Sequence, residues 1–539
     1  MYVDPVKPEV CHLWLLVCVE YCEYDLNDLS QSIHQAVDSK RHTSETVQGG
    51  GLIVVPAIPP PSFAQSVSGS HMSALRIRKY PHFDGDLTLA EAEALVTDPT
   101  VVSQHSFFPF IESAQHWTKF AVKGLLGDKK DRPIRYAARK DSCIYSHYRE
   151  ILVPLYEARL KSLSIENQIL AYRRIPKAGG GNKSNIDFAN DAFEKIAQLG
   201  DCFAYALDIS KFFENIDHSK LKSVWADLLG LKRLPKNHHQ VYKSITKFAW
   251  VDKEALYKRL RFIGEKQRSN GKITSGYLVK RVPLQVCSGK VFRNKIFDLI
   301  QTNEDPHGIP QGSPISDVLA NMYLIDFDTK MTAALANCSG HYYRYSDDVL
   351  ILVPGNQDDI KLRLKMIQDT LNSCGDKLVF SAKKSAVHRF TQCQTGSDTT
   401  QSCTLVYGNQ GKNGLEYLGF RFDGKSVYIR DSTRAGLNRK IVAAAKKLAR
   451  IHARANPQKT LSELESSFNF DRLIKKFGRV DEFESNTKGY RGWTFWTYAV
   501  RANEVFGSKG RPILRQLRGY KSFVRHKAKE ALARYTGAP

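Results

Sequence analysis

The sequence predicts an α+β fold with a strand-rich centre between two helical flanks. Three observations carry this. Residues 202–218, CFAYALDISKFFENIDH, alternate as a strand that ends on an acid. Residues 341–354, HYYRYSDDVLILVP, set aromatic and β-branched residues around a polar Ser346-Asp347-Asp348 centre, the pattern of a β-hairpin with a tight turn. After Arg430, apolar residues recur at helical spacing among Lys and Arg.

Taken in order, residues 1–72 read as a tag or linker segment. They end in Gly69-Ser70-His71-Met72, the scar that tag cleavage leaves, with Met72 as the native start; a natural Gly/Ser linker is the plainer alternative. Residues 73–200 read as an N-terminal region, mostly helical with basic loops, among them the Gly-rich turn YRRIPKAGGGNKSN (172–185). Residues 201–430 mix strands and helices and hold nearly all the chemical signals. Within them, residues 391–402 beside Cys393 and Cys403 read as a surface loop. Residues 431–539 read as basic helices. Leu437, Ile441, Ala444, Leu448 and Ile451 form the expected buried stripe, with Lys440, Lys447, Arg450 and Arg454 largely off it.

Composition narrows the function classes. The chain has 539 residues, and 79 Lys+Arg against 55 Asp+Glu leave a net charge of +24. Such a surplus points to a polyanionic partner, of which nucleic acid is the commonest. The 42% hydrophobic content excludes a mainly disordered chain. Ten Cys without framework spacing read as reduced thiols of a cytoplasmic protein. No CxxC pair supports zinc, and His238-His239 reads as a surface pair. The apolar run at residues 13–19 is too short for a membrane span, so no membrane partner is expected.

Adjacent carboxylates at a hairpin tip, Asp347 and Asp348, repel each other, and a hard divalent cation relieves that repulsion. An ordinary polar turn is the plainer reading of Asp-Asp alone. Asp208 ends a strand whose own face carries only Ala204 and Ala206, which leaves room above it. A buried acid there is costly unless paired or metal-bound; the alternative is a helix N-cap. Together the acids can hold two Mg²⁺ ions about 4 Å apart for in-line phosphoryl transfer, with Asp348 in a supporting role. Between them lies NEDPHGIPQGSPISDVLANMYLIDF (303–327). Gly308 and Gly312 permit close approach of a ligand, Pro310 and Pro314 stiffen the loop, and Gln311 is placed to contact a nascent base pair. A helix follows, with Ile315, Val318, Leu319 and Met322 on one face.

These elements, in this order, resemble reverse transcriptases: ALDISKFF is similar to motif A, GIPQGSPIS to motif B and YSDD to motif C. FSAKKSAV (380–387) looks like motif D, and LEYLGFRF (415–422) like the primer grip. The resemblance implies a right-hand polymerase with fingers, an antiparallel palm sheet and a helical thumb. It implies Asp208, Asp347 and Asp348 as catalytic residues, and these with Ile209 as the metal site for two Mg²⁺, with Mn²⁺ as a substitute. Nucleotide binding falls to Arg173, Lys177, Lys183, Phe213, Gln311, Gly312 and Lys384. Phe213, five residues after Asp208, takes the place of a steric gate against a 2′-hydroxyl. Leu418 and Gly419 take the primer grip.

The wording of residues 172–196 and the long basic insertion at about 255–300 look most like the bacterial defence-associated and abortive-infection group. That implies an RNA-directed DNA polymerase acting on dNTPs in antiviral defence, with a dedicated non-coding RNA as template partner and DNA as product. The alternatives are a retron-type or group II intron-type reverse transcriptase, or a template-independent polymerase of the same family. The retron features NAxxH and VTG are absent, and no C-terminal Cys/His cluster of intron endonucleases is found. Beyond residue 430, Arg450, Arg511, Arg515, Arg518, Lys521 and Arg525 are the candidate nucleic-acid-binding residues, interleaved with aromatics. A non-catalytic RNA-binding role is weakened by the intact acids, and homo-oligomerisation is left open.

Overall fold

The computed structural model describes residues 75–120, 126–267, 271, 273–395, 398–409, 411, 413–477 and 494–536. Residues 76–539 form one unit; the expected tag segment 1–72 lies outside the described residues.

The first correction concerns residues 73–200. Helices α1 (Leu89–Thr97) and α2 (Pro99–Gln104) are followed by a long antiparallel hairpin, β1 (Phe110–Phe120) and β2 (Leu126–Tyr136), before α3 (Arg139–Ser162) and α4 (Asn185–Leu199). The hairpin hides from a periodicity reading because β2 carries Lys129, Lys130 and Pro133. β2 is an edge strand, where a proline loses no sheet hydrogen bond and a charged sequence is tolerated.

The expected strand is β3 (Cys202–Asp208). Beyond it come α5 (His218–Leu228), capped by Asp217, and α6 (Lys236–Thr246). The insertion that follows contains β4 (Ala249–Asp252), α7 (Lys253–Arg259), the ribbon of β5 (Ile263–Gln267) and β6 (Ile273–Tyr277), α8 (Gly289–Lys295) and β7 (Gln301–Thr302). β4 joins β1 in parallel and β7 joins β4, which gives a small sheet of order β2-β1-β4-β7.

The central chain then forms α9 (Ser316–Tyr323), α10 (Ile325–Ala336), β8 (His341–Tyr345), β9 (Asp348–Pro354), α11 (Ile360–Asn372), β10 (Ala386–Thr395) and β11 (Asp398–Gly408). The expected apolar face of α9, with Ile315, Val318, Leu319 and Met322, is buried. Of residues 391–402, expected as a loop, 391–395 and 398–402 instead belong to the paired strands β10 and β11. Their alternating Thr, Gln and Cys side chains suit a half-exposed ribbon.

Strands β11-β10-β3-β9-β8 make one antiparallel sheet. Val349 through Val353 are all buried, which explains why β9 reads as a continuous apolar run. One face, through Cys202, Ala204, Leu350 and Leu352, packs in a single core with α4 and a three-stranded sheet of β12 (Leu415–Tyr417), β13 (Phe420–Phe422) and β14 (Val427–Ile429). The same core continues into α12 (Asp431–Ala455), α13 (Leu461–Ser467), α14 (Phe470–Phe477), α15 (Phe495–Phe506), α16 (Arg511–Arg515) and α17 (Tyr520–Thr536).

On α12 the buried row is Leu437, Ile441, Ala445, Ala449 and Ala453, not the expected Leu437-Ile441-Ala444-Leu448-Ile451. Ile451 is 52% exposed. The row steps by four and turns its alanines to α17, where small side chains let two helices approach closely.

Candidate active site

The register of β3 against β9 pairs Ala206 with Leu350, Leu207 with Val349 and Asp208 with Asp348. Two carboxylates therefore stand directly opposite each other on one face at the end of the sheet. The Ile209 N–H donates to Asp347 O at 2.9 Å. The hydrogen-bonded rung is thus the next one, and Asp208–Asp348 is a pair of the closer, non-bonded kind.

Tyr345 pairs with Asp348, so Ser346 and Asp347 form a two-residue turn. Ser346 has φ 61°. A tight hairpin needs positive φ at its first loop position, where glycine is usual. Tyr172, itself at φ 64°, donates its hydroxyl to Ser346 Oγ at 3.1 Å. Beneath the turn, Arg344 is fully buried against Asp328 and also donates to Asn321 and to Ser346 O.

Burial, followed by Asp208, pushes the Asp347 carboxyl up. Burial, Asp347 and Asp208 push Asp348 up to about 8. Three cations work against this. Lys384 holds both oxygens of Asp208, with 2.6 Å to Oδ2. Arg132 of β2 and Lys384 favour the charged form of Asp347, while Arg430 and Lys384 do so for Asp348.

The donor set suits hard divalent cations in its chemistry: Asp208 and Asp348 face each other across one rung, Asp347 adjoins them on the turn, and their negative charges repel. Among the described residues no three His, Cys, Asp or Glu side chains are already closed around a common centre. Both oxygens of Asp208 are engaged by Lys384.

The other expected residues divide. Phe212 packs toward Tyr323 in the core, while Phe213, 9% exposed, lies nearer the surface on the turn after Asp208. Gln311 accepts from Arg135 N through its carbonyl, and its buried Oε1 has no partner among the described residues. Lys177 and Lys183 are half-exposed, the former 3.7 Å from Asp187 and the latter 2.7 Å from Asp191. Leu418 and Gly419 form a tight turn with φ 45° and 91°, held by Asn185 Nδ2 on Leu418 O at 3.0 Å and by Arg430 N on Gly419 O. Arg450, Arg511, Arg515, Arg518, Lys521 and Arg525 are all exposed, and none forms an ion pair with the described residues.

Three readings are corrected. Arg173 does not present its guanidinium to a nucleotide: it is buried, gripped by Glu157 at 2.6 and 2.8 Å, and donates to the Glu166 and Ile169 carbonyls. Gly312 makes its close approach to the protein itself, since a Cβ there would lie 2.6 Å from Arg135 O; Gly308 similarly faces Glu214 O. His238 is a core residue that accepts from Trp225 Nε1 at 3.2 Å, and burial pushes it down to about 4.

The sequence reading missed Arg132 and the whole β1–β2 hairpin, which brings Arg132 to Asp347 and Arg135 to the Gln311 loop. The available signal was the stretch KKDRPIRY (129–136), too charged to read as a strand.

Residues 272–422 match the family model described as Reverse transcriptase (RNA-dependent DNA polymerase). The chain carries a reverse transcriptase domain. The match takes in the Gln311 loop, Asp347, Asp348, Lys384 and the Leu418–Gly419 turn, and stops short of Asp208, which joins the site through its register with Asp348.

No curated protein matches the chain. Among solved structures it is similar to apo telomerase from Candida tropicalis truncated from the C-terminal domain, at 10% identity and TM-score 0.34 over 64% of this chain and 61% of that one. It is also similar to telomerase from Candida tropicalis with a TWJ fragment of telomeric RNA, at 10% identity and TM-score 0.32 over 84% and 66%. Telomerase from Candida albicans with a TWJ fragment of telomeric RNA is similar at 11% identity and TM-score 0.33 over 81% and 65%. This chain spans 61–66% of the length of those telomerase chains.

The fold is α+β, as expected, with an antiparallel sheet that carries the acids and a helical C-terminal region. No helix among the described residues is long and apolar enough to cross a membrane.

Proposed function

We propose that this chain is an RNA-directed DNA polymerase that adds dNTPs to a 3′ end by two-metal phosphoryl transfer. The observation that carries the reading is the cross-strand pairing of Asp208 with Asp348, with Asp347 on the adjoining turn of a reverse transcriptase domain. Asp208, Asp347, Asp348 and the main chain of Ile209 would hold two Mg²⁺, with Mn²⁺ as a substitute. When bound, these ions supply charge neutralisation at the reacting phosphate and lower the pKa of the attacking hydroxyl.

The protein's own groups do the rest. The buried carboxylates fix the reacting geometry. Lys384, released from Asp208, is free to meet a phosphate charge. Arg132, whose charge acts on Asp347, would meet an incoming triphosphate, and Phe213, on the turn after Asp208, would serve as the steric gate against a 2′-hydroxyl. The exposed, unpaired Arg and Lys of α16, α17 and the segment between them suit a phosphate backbone. Lys177 and Lys183 sit on the Gly-rich loop ahead of α4, accessible to the same charge.

A non-coding RNA template, a DNA product and a role in bacterial antiviral defence are proposed on the wording of residues 172–196 and the basic insertion, and a cytoplasmic location on the ten Cys without framework spacing. The test is incorporation of labelled dNTPs on an RNA template with Mg²⁺ by wild type and by Asp347→Asn/Asp348→Asn. Activity confined to wild type supports the assignment; activity that survives the double change overturns it. Sequencing of the copurifying nucleic acid then decides between the defence, retron and intron biologies.

A further inference from the structure

The basic insertion has no part in the site described above. Residues 255–300 hold eleven Lys and Arg against two acids, Glu265 and Asp298. They share a small core in which Leu256, Tyr257, Val286 and Ile296 pack with Phe83, Ile111 and Val251. Arg259, at the end of α7, donates to Lys295 O at 2.8 Å and to Asp298 at 2.9 Å, which brings Phe297 beside that helix end. The Tyr277 ring lies 6.4 Å from Tyr257 of α7, and Leu278 N donates to Phe262 O at 2.8 Å. Tyr277, Leu278 and Phe297 therefore surround one helix terminus, and they are 53%, 47% and 70% exposed. Large apolar side chains left this exposed near one helix end mark a contact surface.

The backbone adds an independent sign. Helix α7 closes with Arg261 N on Lys258 O and Phe262 N on Tyr257 O, the paired bonds of a Schellman turn. The residue at the bend must be left-handed and is usually glycine; here it is Arg261 at φ 58°. A Cβ disfavours that conformation, and such strain persists where the side chain is needed. Arg261, Lys266 and Lys295 are exposed and form no ion pair with the described residues.

We infer that this face of the insertion, built on Tyr277, Phe297 and Arg261, binds a single-stranded stretch of the RNA template outside the active site. The inference rests on the polymerase reading above. Aromatic faces stack on unpaired bases while cations take the phosphates; a duplex offers the phosphates but hides its base faces.

The test uses the full chain, with fluorescence anisotropy of a labelled single-stranded RNA and of the same RNA as a duplex. Tyr277→Ala and Phe297→Ala should each weaken single-strand binding about fivefold or more and leave duplex binding unchanged. Arg261→Gly suits the left-handed bend, so its melting temperature should hold or rise. Its dependence of log affinity on log salt should nevertheless become shallower by about 0.7. Three variants that bind single-stranded RNA with wild-type affinity and salt dependence overturn the inference. A changed sedimentation profile with unchanged RNA binding also overturns it and makes this face an interface between copies. Should incorporation still require Asp347 and Asp348 in either case, the polymerase reading stands; should incorporation survive their loss, that reading fails whatever the binding result.

Discussion

Removing Asp328 should both unfold the palm more easily and silence the site above it. Asp328 and Arg344 are each fully buried. Arg344 Nε and Nη2 donate to the two Asp328 oxygens at 2.7 and 2.6 Å, and the Tyr342 hydroxyl donates at 2.6 Å. The same guanidinium reaches Asn321 at 3.2 Å and Ser346 O at 3.3 Å, so it ties the Ser346–Asp347 turn to α9. Asp328→Ala leaves a cation with no counter-charge in a dry site, at a cost of about 3–5 kcal/mol. The Tyr342 hydroxyl, left without its acceptor, adds about 1 kcal/mol. Replacing both partners by apolar residues, Asp328→Leu/Arg344→Met, removes the uncompensated charge and should recover more than half of the loss.

Denaturant unfolding of wild type, the single and the double variant measures this, with dNTP incorporation in parallel. The double variant should regain stability but not activity, because nothing then holds Ser346 O. A single variant within about 1 kcal/mol of wild type would refute the reasoning, since the pair would not be the dry ion pair described.

Three further outcomes follow from the site. Asp347 and Asp348 have folded-state pKa values above those of an unfolded chain, so their favourable contribution is complete at acid pH and falls as pH rises, that of Asp348 being lost through about 8. The metal-free protein should therefore melt lower at pH 8.5 than at pH 6, and Mg²⁺ should raise the melting temperature more at the higher pH. Asp347→Asn/Asp348→Asn should abolish that difference. Gly312→Ala places a Cβ 2.6 Å from Arg135 O and 3.2 Å from Ile134 Cγ2 at φ 107°. It should destabilise the protein by about 1–3 kcal/mol and cut incorporation by pushing the Gln311 loop off β2, read by melting and by single-turnover assay. Arg132→Ala should raise the KM for dNTP about tenfold while kcat falls less, because a charge-assisted contact to the triphosphate is lost; an unchanged KM would remove Arg132 from the site.

Much of the centre was legible before any coordinates. Alternation in CFAYALD and the aromatic flanks of SDD identify the β3 strand and the β8–β9 hairpin, since a two-residue period is a local property of the chain. The order of the acids and the Gly/Pro loop pointed to the chemistry. The less legible parts depended on partners. β2 looked unlike a strand because an edge strand tolerates charge and proline. Arg173 looked like a phosphate ligand because its tie to Glu157 crosses sixteen residues of sequence.

By itself the sequence determined which residues could do chemistry here: a charged acid at a strand end, two more at a hairpin tip, and an excess of cations to meet a polyanion. Only the tertiary structure decided that Asp208 faces Asp348 across one rung, that Lys384 and Arg132 reach the acids from distant segments, and that α12 buries its alanines in preference to Ile451. The reason is that type and period are encoded within a few residues, whereas register, burial and charge pairing depend on which distant segment packs alongside.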